Sequence, residues 1–109
     1  MPVISFSTLK DKLLSGKKKQ TIRPLKTEHW LKFKKGDPVY GYWKLRTKEC
    51  EKLFESKLSE DPFVVSMSNF NDELMRQDGF YDATHALDNW FIPHYGWHGD
   101  MKFAVLRWE

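Results

Sequence analysis

The chain has very little cysteine. Cys50 stands alone in 109 residues, which excludes an intrachain disulfide and any cysteine-built metal cluster. That usage suits a reducing compartment. No stretch approaches the roughly 18 consecutive apolar residues of a membrane-spanning helix. The opening Met1-Pro2-Val3-Ile4-Ser5 lacks the charged region and long apolar run of a signal peptide. The expectation is a cytoplasmic protein with no membrane partner. There is no internal repeat, no low-complexity linker, no P-loop and no dinucleotide fingerprint. Arginine is scarce beside lysine. Because Arg is the bidentate reader of base edges, that balance argues against base-specific recognition.

What is present is aromatic and basic. Phe, Trp and Tyr make up 16% of the chain, with five Trp and eight Phe. Such residues bury large areas, so residues 1–109 form one domain with its own core. The net charge of +3 hides an asymmetry. Residues 1–36 hold ten Lys or Arg against two acids, a balance of +8. Residues 37–109 hold eight against thirteen, a balance of −5. A basic half invites an anionic partner, and RNA or a nucleotide is the commonest; a plain solvated surface is the alternative.

Val3 to Phe6 reads as a strand. Ser7 is placed to cap a helix with Leu9, Leu13 and Leu14 at helical spacing, and Gly16 to stop it. Gln20 to Arg23 reads as a second strand ended by Pro24. Val39 to Arg46 is a third, with Gly41 marking a bulge or a close approach. Leu53 to Ser59 and Phe63 to Phe70 follow as strands. Asn71 caps a short helix that Gly79 ends. Asp82 caps another over Ala83 to Phe91, beyond which Pro93, Gly96 and Gly99 keep the chain irregular. Met101 to Trp108 closes the chain as a strand. The strands are too many and too close for parallel crossovers. The expected class is therefore α+β: a small, mostly antiparallel β-barrel with flanking short helices.

Several segments, taken in order, resemble a known family. Ile4-Ser5-Phe6, Leu14-Ser15-Gly16-Lys17-Lys18 and Thr21-Ile22-Arg23-Pro24 are similar to the opening of ASCH domains, within the PUA-like superfamily. The likeness continues through Phe33-Lys34-Lys35-Gly36-Asp37, Tyr42-Trp43, Arg46 to Cys50 and Asp78-Gly79-Phe80. It ends with Trp90-Phe91, Tyr95-Gly96 and Arg107-Trp108. The resemblance implies a PUA-like barrel and nucleic-acid or nucleoside work. One branch hydrolyses N4-acetylcytidine, and other members are linked to ribonuclease activity. The amidohydrolase pattern is Gly-x-Lys-x-x-Thr-Ile-Arg with a later carboxylate. Lys18 and Thr21 match it, and Asp78 stands where the family has a glutamate.

On that pattern Thr21 is a nucleophile only if an amine kept neutral by burial activates it, and Lys18 is the candidate. Side chains three apart on a strand face opposite ways, so Lys18 must lie in the turn after Gly16 and reach back. Thr21 and Arg23 share a face, so Arg23 can hold an oxygen of a substrate. Asp78 can protonate a leaving amine. Lys17 and Lys19 read as phosphate contacts, or as surface charge. Tyr42 and Trp43 can stack a base or join the core. No cofactor and no metal are expected. His94, His98 and Asp100 lack an evident further ligand, His85 is nine residues from His94, and Cys50 has no nucleophile context and reads as a small packing residue. Three functions stay open. One is a binding module for RNA or a modified nucleoside. The second is an amidohydrolase using Lys18, Thr21 and Asp78. The third is a non-catalytic protein-interaction domain, which would have no hollow beside Thr21.

Overall fold

The computed structural model describes residues 3–7, 9–25 and 29–109. Lys26 and Glu28, both counted in the charge of the first half, lie outside them. Strand β1 (Val3–Phe6) alternates outward and inward residues, burying Ile4 and Phe6. It pairs in parallel with β3 (Pro38–Trp43), which pairs antiparallel with β4 (Glu51–Lys57). A second sheet is antiparallel throughout. In it β2 (Gln20–Pro24) and β5 (Phe63–Ser66) flank β6 (Lys102–Arg107).

Two three-stranded sheets replace the closed barrel expected from the sequence. They meet at one end through an isolated bridge, Leu58 with Trp108, flanked by backbone bonds from Ser59 to Arg107 and from Glu109 to Lys57. At the other end β1 and β2 are the edge strands of their sheets and carry no ladder between them. The Arg23 side chain spans that seam instead, its Nη2 donating to the Ser5 carbonyl at 2.7 Å. Among the described residues three of the four strand pairs are antiparallel, as expected, but β1–β3 is parallel, where strand spacing argues against any parallel crossover. The segment from Phe6 to Pro38, which contains a helix and β2, is long enough for a crossover.

Strand β6 ties the sheets' interiors together. Phe103 and Val105 enter one apolar cluster, with Ile22, Leu74, Met75 and Phe91. Ala104 and Leu106 enter the other, with Ile4, Phe6, Val39 and Trp108. A strand buried on both faces has no polar alternation, which fits the run Phe103-Ala104-Val105-Leu106.

The helices are short. Helix α1 (Lys10–Leu14) begins at a left-handed Leu9 (φ 60°) and has no side-chain cap, so Ser7 does not cap it. Leu13 is buried but Leu14 faces solvent. Gly16, at φ 77°, ends this turn as expected. Helix α2 (Asp72–Gln77) is capped by Asn71, whose Oδ1 accepts from the Leu74 N–H at 2.8 Å. Asp82 caps α3 (Ala83–Ala86) in the same way through His85. The chain then widens into a π turn (Leu87–Phe91) and continues as α4 (Ile92–Tyr95), so helix persists past Pro93 where irregular chain was expected. In a continuous α-helix the Pro93 ring would press on the Asn89 carbonyl, and the π turn relieves that clash. Strands β3 and β5 stop early. β3 ends at Trp43 because Lys44 and Arg46 take positive φ, and β5 passes at Met67 into a single 3-10 turn.

Candidate functional site

The unladdered seam between β1 and β2 is the place to look for chemistry, because backbone there leaves room for side chains. A pocket of about 110 Å³ opens in it, lined by Ser5, Phe6 and Ser7 on one side and Thr21 to Pro24 on the other. Lys18 and Asp78 line it too, and the helical run of α3 and α4 supplies Trp90, Phe91 and Tyr95. The π turn matters here, since it sets the phase at which Trp90 and Tyr95 reach the same hollow.

Lys18 precedes β2, in the turn after Gly16. Its backbone N–H is pinned to the Lys12 carbonyl at 3.0 Å. From there its Nζ reaches Asp78, donating to the backbone carbonyl at 2.7 Å and to carboxylate Oδ2 at 3.0 Å. Asp78 is the C-cap residue of α2, and Gly79 (φ 100°) turns the chain immediately after it. Lys12 Nζ adds a bond to the Gly79 carbonyl at 2.6 Å, so two lysines close this helix end. Lys18, Thr21 and Asp78 are each no more than 5% exposed.

Burial dominates the electrostatics. It pushes the Asp78 carboxyl above its usual range, against the opposing pull of Lys18, Gln20 and Arg23. It pushes the Lys18 amine down, against the attraction of Asp78. Burial thus favours the neutral form of each group, while their contact at 3.0 Å favours the charged pair. Arg23 donates from Nε to Thr21 Oγ1 at 3.0 Å. That leaves the Thr21 hydroxyl proton to be given elsewhere and places a cation against its oxygen. The same guanidinium lies 5.1 Å from the Phe6 ring centroid.

Of the residues singled out from sequence, Lys18, Thr21, Arg23 and Asp78 come together here. Lys17 and Lys19 do not line this pocket. They are exposed and edge a separate hollow of about 240 Å³ with Gln20, Gln77 and Arg107. Tyr42 and Trp43 do not line it either. Trp43 packs on the first apolar cluster beneath Lys10 and Lys44, and Tyr42 is half-buried opposite Lys52. Cys50 is exposed rather than packed. Among the described residues no three of His, Cys, Asp or Glu gather as a metal site, and no helix is long and apolar enough to cross a membrane.

Ser5, Phe6, Trp90 and Tyr95 line the pocket without having been candidates from the sequence, and Gln20, equally unforeseen, stands behind it. Gln20 is buried, and its amide bonds Leu74, Asp78 and Arg107. The signal was available. Gln20 and Ile22 share one face of β2, and a polar group on an apolar face needs a partner.

The fold has a solved counterpart. The crystal structure of protein EF3133 from Enterococcus faecalis V583, with the family model DUF984, superposes with a TM-score of 0.67. The match covers all of this chain and 75% of that one at 16% sequence identity, a likeness of fold alone. No family model and no curated protein matches the sequence.

Proposed function

We propose that the pocket in the β1–β2 seam is the active site of an amidohydrolase that removes an acyl group from an N4-acylcytidine-type nucleoside. The observation that carries this is the buried Lys18–Asp78 pair in a pocket shared with the Thr21 hydroxyl. The resemblance of Gly16 to Arg23 to the ASCH amidohydrolase pattern supports the same reading. About 110 Å³ is well below the roughly 300–1,000 Å³ of pockets that engulf a ligand whole. The pocket therefore suits one planar, acylated end of a substrate, with aromatic walls from Phe6, Trp90 and Tyr95.

The Thr21 hydroxyl passes its proton to the neutral Lys18 amine as its oxygen bonds to the acyl carbon. The Asp78 carboxyl gives its proton to the exocyclic nitrogen as the C–N bond breaks, releasing cytidine. Water then attacks the acyl-threonine, and the bond between the acyl carbon and Thr21 Oγ1 breaks to release the carboxylic acid. A proton of the water goes to the Asp78 carboxylate, and Thr21 recovers a proton from the Lys18 ammonium, which restores all three groups. The test is hydrolysis of N4-acetylcytidine by the wild type and by Lys18→Ala, Thr21→Ala and Asp78→Asn. Each substitution should lower kcat by about 100-fold or more, the scale of one acid–base contribution. An inactive wild type, or three variants at full rate, would overturn the assignment.

A second reading rests on the exposed Lys17 and Lys19 beside Arg107. These cations suit the phosphates of single-stranded RNA, bound without base specificity.

A further inference from the structure

We propose that Gln20 is a positioning residue, holding Oδ1 of Asp78 so that only Oδ2 meets Lys18, while Arg107 fixes the direction of the Gln20 amide. The catalytic consequence rests on the hydrolase reading; the positioning itself does not.

The argument starts from donors and acceptors. A glutamine amide has two N–H donors at one end and one acceptor oxygen at the other. Nε2 of Gln20 donates to the Leu74 carbonyl at 3.0 Å and to Asp78 Oδ1 at 3.3 Å. Its Oε1 accepts from Arg107 Nε at 2.8 Å. The reversed amide would set Oε1 against two acceptors and the NH₂ against a guanidinium. Only one orientation satisfies all three neighbours. Arg107 is in turn held by Glu60, with Nη1 to Oε1 at 3.4 Å, and lies over the Phe63 ring. A chain of contacts therefore runs from the half-exposed Glu60 to the buried acid.

Its effect falls on the carboxylate. Oδ2 of Asp78 receives Lys18 and Oδ1 receives Gln20, so neither oxygen can rotate without losing a donor. Without Gln20 the carboxyl can turn both oxygens to Lys18 and away from the pocket. The charged groups facing this carboxyl are Lys18 from the turn before β2 and Arg23 from β2. Lys12 of α1 acts on Lys18, and Tyr95 of α4 on Arg23. Arg107 acts through Gln20.

The experiment follows the Asp78 carboxyl carbon by NMR against pH in the wild type, Gln20→Met, Arg107→Lys and the double variant. Arg107→Lys keeps the charge and removes the Nε fork, and it tests the idea on its own if Gln20→Met does not fold. Losing a donor to the charged form should move the Asp78 titration upward in Gln20→Met. Arg107→Lys should move it in the same direction, and the double variant no further than Gln20→Met alone. The alkaline limb of the kcat profile, where Asp78 loses the proton it must donate, should move with it, and kcat should fall roughly tenfold, the scale of one hydrogen bond to a charged group. An unmoved titration in both single variants, or shifts that simply add, would overturn the proposal. A wild type without hydrolase activity would sink the amidohydrolase reading while the NMR titration still decides the role of Gln20.

Discussion

At the scale of single residues, the Lys18–Asp78 pair joins stability to chemistry. Replacing one partner strands the other. Lys18→Met leaves Asp78 buried with the Gln20 amide as its remaining side-chain donor, and breaking a buried pair costs about 3–5 kcal/mol. The loss depends on pH with a definite sign. Burial already raises the Asp78 carboxyl above its ordinary value of 3.8, and removing the Lys18 attraction raises it further. A group raised in the folded state contributes stability that is complete below its unfolded value and disappears as pH rises through the folded one. The variant should therefore lie furthest below the wild type at neutral pH and approach it in acid. Urea unfolding of both proteins at neutral pH and just below pH 3.8 checks this, and an equal deficit at both would show that removing Lys18 leaves the Asp78 titration where it is in the wild type. These residues also mark what the sequence makes legible. Lys18, Thr21 and Arg23 fall within six positions, so strand alternation and one glycine turn were enough to set their faces. Asp78 lies 60 residues from Lys18, and only the family resemblance pointed to it. No local rule says which distant acid a lysine meets.

At the scale of elements, legibility follows how local the cause is. The caps at Asn71 and Asp82 were readable, because each bonds an N–H three residues ahead. The Ser7 cap failed because Leu9 adopts a left-handed conformation, which the sequence gives no reason to expect. Helix through Pro93 was missed because the widening that admits it occurs four residues earlier. Gly41 was readable as a bulge or a close approach, and both hold. The β3–β4 register shifts between Gly41 and Tyr42, and a Cβ at Gly41 would overlap the Phe54 ring. Phe54 stacks on Trp108 with centroids 4.8 Å apart, so it cannot retreat without disturbing the strand end that bridges the sheets. Gly41→Ala should therefore cost about 1–3 kcal/mol or more by overpacking, read as a lower urea midpoint at unchanged slope. A variant as stable as the wild type would mean that the Phe54 ring moves freely.

At the scale of the molecule, the expected barrel gives way to two sheets that share one isolated bridge at one end and are open between β1 and β2 at the other, and that open seam holds the pocket. A ladder between β1 and β2 would have put backbone bonds where Arg23 now crosses to Ser5. Which edges pair depends on the whole chain's packing, so strand content was legible and closure was not. The charge asymmetry also changes on folding. Lys18 of the basic half turns inward to Asp78 of the acidic half, and Lys10 pairs with Glu51 at 3.3 Å. Part of the +8 is thus answered inside the molecule rather than offered to a polyanion. This separates the two functional readings by their salt dependence. A neutral nucleoside entering the seam pocket releases few counterions, so its KM should be nearly the same at about 50 and about 200 mM salt. Single-stranded RNA lying over Lys17 and Lys19 should lose affinity on the same change, with a logarithmic slope of about −0.7 for each phosphate neutralised. Steady-state hydrolysis and RNA binding measured side by side across that range decide between them. A salt-flat KM for N4-acetylcytidine with weak RNA binding places function in the seam. A steep RNA isotherm with no turnover moves it to the basic surface outside.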